Sequence, residues 1–484
     1  MLQVRTTVRA LEPTSAETDL YLPKSVCRKL KIPLTALTIQ FGSIQATGQV
    51  KEFERSSTTV IRPSLARTLR IPTGIPLQLR YEANLRRLVF GPLIGILISR
   101  FSQNARNPYG TFTPFLNEIA DICRQRGGVA VAFRMQDVNW ETETVRGLIR
   151  RNGLWHTATL PLPQCIYNRI GNRKSEKAEE LETLITRCKE RQIPFFNEHF
   201  LNKWHVHRAL QAVPEATPYL PKTVRYHAHQ DLVEMVGSFP SVYAKPTNGS
   251  MGKGIYQIRT SSAGYKLTRP TPEGTATQTF RDVMSLHRAL QKQTKGKAYL
   301  LQQGLSLIGR NGKPTDFRVL VQKDRRGKWS VSSLVARLGQ NKVVSNIARG
   351  GSMISPRQAL LICGPRLGGS TSVEEIKQVA QRLATMLEDS IQGHYAEFGV
   401  DLGVDTRGRI WLLEVNSKPS KSTSSVQQPD VDGEEGEPQP SLRRKPRPSV
   451  VRMLDYAAYL SGFPLPSNEK KKVKVAKKRK RKRR

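Results

Sequence analysis

A glycine-rich loop between two predicted strands constrains the fold of this chain more than any other segment. The sequence VYAKPTNGSMGKGIYQI at 242–258 predicts a strand that ends at Lys245, then a loop, then a second strand from Ile255. Three glycines between 249 and 254 permit positive φ and let backbone N–H groups approach an anion, and Lys245 and Lys253 add positive charge. The segment predicts a phosphate-binding loop, with a plain glycine-rich hairpin as the alternative. Its spacing fits neither the P-loop nor the dinucleotide fingerprint.

A second segment, AEFGVDLGVDTRGRIWLLEVN at 396–416, predicts a β-hairpin. A two-residue turn at Arg407 and Gly408 would pair Thr406 with Arg409 and would place Asp401 directly opposite Glu414. Because side chains alternate along a strand, the hairpin would have one polar and one apolar face. The polar face would hold Glu397, Asp401, Glu414 and Asn416, and the apolar face Phe398, Val400, Leu402, Leu413 and Val415.

Two carboxylates opposite each other repel unless a cation lies between them. With the amide oxygen of Asn416 two residues further on, Asp401 and Glu414 offer the hard oxygen ligands that suit Mg²⁺. The alternative is the ordinary polar outer face of an antiparallel sheet.

A phosphate loop followed by a magnesium hairpin resembles the ATP-grasp superfamily, and residues 91–419 resemble its YheC/YheD type of endospore coat-associated protein. The motifs that carry the resemblance, in chain order, are GPLIGILISR (91–100), FNEHFLNKWHVHRAL (196–210), YAKPTNGSMGKGIYQI (243–258), LLQQGLSLIGRNGKPTDFRVLVQK (300–323), VARLGQNKVVSNIARGG (335–351) and EFGVDLGVDTRGRIWLLEVNSKPSK (397–421).

The resemblance implies a role for each matching residue. Lys203 and Lys245 would reach the ATP phosphates, and the backbone of the loop would close over them. Gln302 and Gln303 would form the adenine-binding hinge, and Arg318, Arg337 and Asn346 would hold the acyl phosphate and the acceptor. The full set implied to bind ATP is Lys203, Lys245, Gly249, Ser250, Met251, Gly252, Lys253, Gly254, Gln302 and Gln303, and the set implied to bind magnesium is Asp401, Glu414 and Asn416.

One departure from the family pattern concerns the ribose. Many ATP-grasp enzymes have a glutamate shortly after the hinge that binds the ribose, whereas the stretch 304–314 contains no acidic residue. The affinity for ATP, and its preference over other nucleotides, depend on what replaces that glutamate.

The 484 residues predict several domains of α/β class, with α+β character in the ATP-grasp core. Residues 22–41 and 62–81 are similar and predict a small β-rich domain with an internal duplication. Strands alternating with helices follow and predict a parallel sheet. The predicted domains are the β-rich domain at 1–88, a pre-ATP-grasp domain at 89–195, the ATP-grasp domain at 196–419, a disordered linker at 420–447, a helix at 448–464 and a basic disordered tail at 465–484.

The net charge of +39 favours polyanionic partners. Twelve of the fifteen residues at 470–484 are Lys or Arg, which predicts contact with polyanions by counterion release. Nucleic acid, an anionic envelope polymer, acidic coat proteins and an anionic peptide substrate are the candidates, and a solvated tail without a dedicated partner is the alternative. Neither a signal peptide nor a membrane-spanning segment is predicted, so we expect a cytoplasmic protein, with the mother-cell side of the endospore coat as its place of action.

The sequence therefore predicts an ATP- and Mg²⁺-dependent carboxylate–amine ligase that acts through an acyl phosphate. Two alternatives stay open. One is a structural coat protein that binds nucleotide without ligation, and the other is a polyanion-binding protein that acts through its tail. The identities of the carboxylate and the amine are not encoded in these motifs.

Overall fold

A computed structural model describes residues 2–12, 17–54, 58–176, 178–249, 253–271, 274–339, 352–364, 370–420 and 446–464. The chain divides into two compact units. The first comprises Met1–Phe196, Lys323–Lys328 and Val450–Arg484, and the second comprises Asn197–Gln322 and Trp329–Ser449. The predicted tail and all but the ends of the predicted linker lie outside the described residues.

The first unit begins with a closed barrel of seven strands in the order β1-β5-β2-β4-β3-β7-β6. In both similar segments a short helix precedes a strand, and alternate strand residues such as Leu37, Ile39 and Phe41 are buried in the core. The elements are β1 Gln3–Ala10, β2 Leu20–Pro23, α1 Lys24–Leu30, β3 Ala36–Phe41, β4 Ile44–Phe53, β5 Thr58–Ile61, α2 Pro63–Thr68, β6 Ile75–Glu82 and β7 Arg87–Gly91.

A mixed sheet follows, in the order β10-β11-β9-β8-β13-β14 with β12 beside β11. Its elements are β8 Leu93–Leu97, α3 Thr113–Gln125, β9 Val129–Phe133, β10 Val138–Asn139, β11 Thr144–Arg151, β12 Leu154–Pro161, β13 Cys165–Asn168, α4 Arg173–Glu176, α5 Glu179–Glu190 and β14 Phe195–Phe196. Strands β9, β8, β13 and β14 are parallel, as the alternation with helices predicts. The expectation of a wholly parallel sheet is wrong, because β10, β11 and β12 join antiparallel through short connections.

The second unit opens with α6 Lys203–Gln211 and continues into a six-stranded sheet, the small sheet, in the order β15-β20-β16-β17-β18-β19. One face of this sheet packs its apolar side chains against two helices, and the other face carries polar side chains. Its elements are β15 Thr223–Tyr226, α7 His229–Ser238, β16 Ser241–Pro246, β17 Tyr256–Ser261, β18 Gly264–Thr271, β19 Gly274–Phe280, α8 Val283–Thr294 and β20 Tyr299–Gln303.

A second sheet of this unit, the large sheet, has the order β24-β23-β22-β25-β26, with β21 beside β22. Helix α10 packs its apolar stripe, including Leu383 and Leu387, into the core under the sheet. The elements are β21 Gly309–Arg310, β22 Lys313–Lys323, β23 Trp329–Leu338, β24 Ser352–Ile354, α9 Pro356–Cys363, α10 Val373–Ser390, β25 Glu397–Val404 and β26 Ile410–Asn416.

The last helix, α11 Pro448–Leu460, covers most of the predicted range 448–464. From Val450 onward it belongs to the first unit. Asp455 pairs with Arg126 at 2.7 Å, and the ring of Tyr456 packs against Phe196 with centroids 5.6 Å apart. An apolar helix face thus returns to the mixed sheet.

Candidate functional site

A cavity of about 710 Å³ in the second unit collects side chains from both of its sheets. The predicted residues that line it are Lys203, Lys245, Gln302, Gln303, Arg337, Asp401 and Glu414. Segments far apart in the chain therefore meet at one place. Asn346, Ser250, Met251 and Gly252 lie outside the described residues.

The β25–β26 hairpin places Asp401 directly opposite Glu414, and Asn416 pairs with Gly399 two residues along the same ladder. The predicted turn is wrong, because Val404 pairs with Ile410 and the loop is longer than two residues. The Asp405 carboxylate accepts from the backbone N–H groups of residues 407 and 409, and Gly408 has a φ of 85°. This cap and the left-handed glycine are typical of a three-residue hairpin loop.

A β-bulge restores the predicted pairing of the carboxylates. Leu402 pairs with Leu412 and Asp401 with Glu414, so that Leu413 is the extra residue. The predicted position of Leu413 on the apolar face is therefore wrong, and Leu413 lines the cavity while Leu412 packs in the core. The longer loop and the bulge each shift the register by one residue, in opposite senses.

Asp401 belongs to a buried row of alternating charges on the large sheet. Arg318 is its cross-strand partner and contacts both carboxylate oxygens, Oδ2 at 2.7 Å from Nη2. Arg337 reaches Oδ1 of Asp401 with Nη2 at 3.0 Å and also pairs with Asp316. Two carboxylates thus balance two guanidinium groups.

The pKa values of this row reflect the pairing. Burial by itself would raise the pKa of Asp401, but Arg318 and Arg337 hold it below its usual value. Burial opposes the charge on Arg337 as well, and Asp401 and Asp316 outweigh it and raise its pKa. Asp401 and Arg337 are therefore charged at neutral pH.

Lys203 is the first residue of α6, which Asn202 caps by accepting from the backbone N–H groups of Trp204 and His205. Its Nζ donates to the carbonyl oxygen of Gly249 at 2.7 Å and lies 3.1 Å from Oε1 of Glu414. This lysine thus connects the glycine-rich loop with the paired carboxylates.

Lys245 lies on the small sheet, and its direct contacts with described residues are to neutral groups. Its Nζ donates to Oε1 of Gln302 at 2.6 Å and lies 5.6 Å from the ring centroid of Tyr243. Gln302 in turn donates to Oγ1 of Thr223 at 3.0 Å. Burial lowers the pKa of Lys245 to about 8, with Glu414 and Asp401 acting against that effect and Lys203 adding to it.

Gly249, Lys253, Gly254, Arg318 and Asn416 are described by the structure but do not line the cavity, whereas Gln303 does. Lys253 is exposed, and Gly254 has a φ of 72°, with its carbonyl oxygen accepting from the hydroxyl of Tyr299 at 3.0 Å. A Cβ at Gly249 would lie 2.7 Å from Pro246, so a larger residue there would displace the loop. Oε1 of Gln303 accepts from the backbone N–H of Lys222 at 3.3 Å.

The cavity residues that were not foreseen from the sequence include Tyr243, Gln257 and Arg259. They alternate with apolar residues on β16 and β17, whose apolar neighbours Val242 and Ile258 are buried. That alternation was a usable signal, because polar residues on the inward face of a strand beside a phosphate loop face the ligand.

Comparison with known proteins identifies the family. The sequence model of the YheC/D-like ATP-grasp proteins matches residues 192–460. This chain belongs to that family. The endospore coat-associated protein YheD of Bacillus subtilis (strain 168) is 32% identical to it over 385 residues, which cover 78% of this chain and 81% of YheD. The endospore coat-associated protein YheC of the same organism is 22% identical over 310 residues, which cover 63% of this chain and 85% of YheC.

Among solved structures, this YheC/D-like chain resembles D-cycloserine synthetase DcsG, with a TM-score of 0.43 and 13% identity over 76% of this chain and 99% of the synthetase. The D-alanine–D-alanine ligase of Coxiella burnetii gives a TM-score of 0.43 and 9% identity over 81% of this chain and 100% of the ligase. The predicted ATP-grasp fold of α/β class is confirmed by the family match. No helix within the described ranges is long and apolar enough to cross a membrane.

Proposed function

We propose that this protein is an ATP- and Mg²⁺-dependent carboxylate–amine ligase. A carboxylate oxygen of the first substrate attacks the γ-phosphorus of ATP, and ADP leaves with the electron pair of the broken P–O bond. The amine nitrogen of the second substrate then attacks the acyl carbon, loses a proton and displaces phosphate, which leaves an amide. The observation that carries the proposal is the meeting of Lys203, Lys245, Arg337, Asp401 and Glu414 in one cavity.

The lysines would hold the polyphosphate. Lys203 and Lys245 approach the cavity from α6 and from β16, and backbone N–H groups between Gly249 and Gly254 would complete the phosphate cradle, which also includes Lys253. Among the residues that the structure describes, Lys245 makes direct contacts with an amide oxygen and an aromatic ring, so a bound phosphate would supply a contacting anion. Gln302 and Gln303 would contact the adenine.

The hairpin residues fit a magnesium ion by the chemistry of their donor atoms. Asp401, Glu414 and Asn416 contribute carboxylate and amide oxygens from one hairpin. A carboxylate has about four acceptor positions, of which Arg318 and Arg337 occupy three on Asp401. Acceptor capacity therefore remains on Asp401, and Glu414 adds its own. A bound magnesium ion would neutralise phosphate charge, which is the main electrostatic demand of phosphoryl transfer.

The arginines would serve the acyl phosphate. The planar guanidinium fork binds phosphate or carboxylate in bidentate fashion and stays charged. Arg318 and Arg337 are already fixed by Asp401 and Asp316, so little side-chain freedom would be lost when the reacting groups bind. Asn346 is assigned to the same role by family resemblance.

The second candidate is a structural coat protein that binds nucleotide without ligation. The names of YheD and YheC as endospore coat-associated proteins favour association of this chain with the coat in either case. Action on the mother-cell side of the coat, and contact of the basic tail with coat proteins or other polyanions, belong to the same proposal.

An ADP-release assay separates the two candidates. The full-length protein is incubated with Mg-ATP and pools of amino acids, peptides and cell-wall precursors, and mass spectrometry identifies the product of any active pool. We expect ADP release that requires both a carboxylate and an amine, and that is lost in Arg337→Lys while ATP binding by calorimetry is mostly retained. ATP binding without ADP release in any pool would favour the structural coat protein, and no ATP binding at millimolar nucleotide would contradict both.

A further inference from the structure

The polar face of the small sheet extends well beyond the lysine at the phosphate loop. Tyr243 is the cross-strand partner of Gln257, Ser241 is the partner of Arg259, and all four line the cavity. Strands rise about 3.4 Å per residue, so Ser241 lies roughly 14 Å along β16 from Lys245. The loop that joins β16 to β17 lies at the Lys245 end. The polar face of the small sheet therefore has one end beside the phosphate loop and a distant end that offers hydrogen-bonding groups.

The hinge segment also lies at the distant end. Gln303 pairs with Val242, and the backbone N–H of Gly304 donates to the carbonyl oxygen of Ser241 at 2.8 Å. A Cβ at position 304 would lie 2.5 Å from Oγ of Ser241, so the chain passes directly against β16 here. Leu305 and Leu413 add apolar surface to the same cavity. Backbone, amide and apolar groups together are suited to a planar heteroaromatic base.

Gln257 has an orientation that its neighbours determine. It is buried, and the amide orientation in which its oxygen faces donors places Oε1 3.3 Å from both Nε and Nη2 of Arg259 and 3.0 Å from the hydroxyl of Tyr243. Three donors on one oxygen fix that end of the side chain as the acceptor. The opposite end is then the NH₂ group, which can only donate.

We propose that Gln257 selects adenine over guanine by donating an amide N–H to the Watson–Crick edge of the base, with Arg259 and Tyr243 fixing its orientation. Adenine has a hydrogen-bond acceptor at N1. Guanine has an N1–H and a 2-amino group, both donors, which would face the donor NH₂ group of Gln257. A site built to hydrogen-bond a ligand discriminates against an analogue that leaves its buried polar group unmet. This inference rests on the proposed nucleotide site and assigns its base specificity.

The test replaces the donor by an acceptor of the same shape. In Gln257→Glu one carboxylate oxygen keeps the contact with Arg259 and the other replaces the NH₂ group, so the variant accepts from guanine and opposes adenine N1. Calorimetry measures the affinities of the full-length protein for Mg-ATP and Mg-GTP. Because both nucleotides carry the same triphosphate, the ratio of their affinities reports the contribution of the base alone.

We expect wild type to prefer ATP, and Gln257→Glu to lower the ATP-to-GTP affinity ratio by about tenfold or more, as one hydrogen bond of about 1.4 kcal/mol would. Gln278→Glu makes the same charge change at an exposed position of β19 and should leave the ratio unchanged. If Gln257→Glu does not fold by thermal melting, Gln257→Leu provides the second variant, and its ratio should fall towards one because the donor is gone.

The outcomes separate this inference from the function on which it rests. Suppose that the wild-type protein binds ATP and that the ATP-to-GTP affinity ratio of both Gln257 variants stays within about twofold of the wild-type ratio. That result would overturn the base-reading role alone. A wild-type protein that binds neither nucleotide would overturn the proposed function together with it. A wild-type preference for GTP would also overturn the assignment, since the NH₂ group would then not be the reading group.

Discussion

The two walls of the cavity carry their charges in different ways. On the large sheet, Asp316, Arg337, Asp401 and Arg318 alternate in sign, and each arginine contacts at least one carboxylate. On the small sheet, Lys245 contacts a glutamine and a tyrosine ring, and burial lowers its pKa to about 8. The large sheet therefore compensates its own charges, whereas Lys245 on the small sheet contacts no anion within the part of the chain that the structure describes. We infer that the first wall is organised before nucleotide binds and that the second gains stability from it.

The largest effect on stability should come from removing an arginine from the row of paired charges on the large sheet. In Arg337→Leu the carboxylates of Asp316 and Asp401 lose a shared partner in a site where the arginine side chain is only 8% exposed. We expect the free energy of unfolding to fall by about 3 kcal/mol, because removal of one partner leaves buried charge uncompensated. Urea unfolding measures this change. The exposed Arg407→Leu is the matched control and should lie within about 0.5 kcal/mol of wild type. Equal effects of the two substitutions would contradict the buried-row interpretation.

Removal of the cation from the small sheet should not destabilise the protein, in contrast to removal of Arg337 from the large sheet. Lys245→Met keeps the length of the side chain and removes a charge that burial disfavours, so we expect no loss of stability without ligand. Calorimetry should find an ATP affinity at least about tenfold weaker. Lys266→Met, at an exposed position of β18 that does not line the cavity, should bind ATP like wild type. If Lys245→Met were less stable than wild type and still bound ATP, Lys245 would have a structural role and the contrast between the two sheets would be wrong.

The same contrast predicts a pH dependence. The pKa of Lys245 is about 8 in the folded protein and near 10.5 when the chain is unfolded. Between these values the unfolded chain retains a proton that the folded protein has released, so the free energy of unfolding should rise with pH in this window. Urea unfolding from pH 7.5 to 10 should give a smaller rise in Lys245→Met than in wild type. Identical slopes would mean that Lys245 has an ordinary pKa.

The smallest effect on stability is expected where a charge pair is partly exposed. The side chains of Lys203 and Glu414 are 16% and 27% exposed, so Glu414→Gln should cost less than about 1 kcal/mol. Thermal melting should nevertheless lose most of the stabilisation by Mg-ATP, because the substitution removes a proposed metal ligand. Retention of the full Mg-ATP shift would exclude Glu414 from that role.

Local pattern was enough to predict the two segments that bear the site. Alternation of apolar and polar residues predicted the strands on either side of the glycine-rich loop, and the structure has them at Ser241–Pro246 and Tyr256–Ser261. The pairing of Asp401 with Glu414 was also predicted, although the assumed turn was wrong. A three-residue loop and a bulge at Leu413 compensate each other, and neither has a strong signal in the sequence.

Only the tertiary structure decided which residues neutralise one another. Arg318 faces Asp401 because β22 lies beside β25, and Arg337 joins them because β23 lies beside β22. Lys203 reaches Glu414 from a helix more than two hundred residues earlier in the chain. Strand order and helix docking depend on contacts that are distant in sequence, so the residue types that can carry the chemistry were visible in the sequence but their partners were not. The side chain of Gln257 became a candidate for base selection only when Arg259 and Tyr243 were seen to fix its orientation.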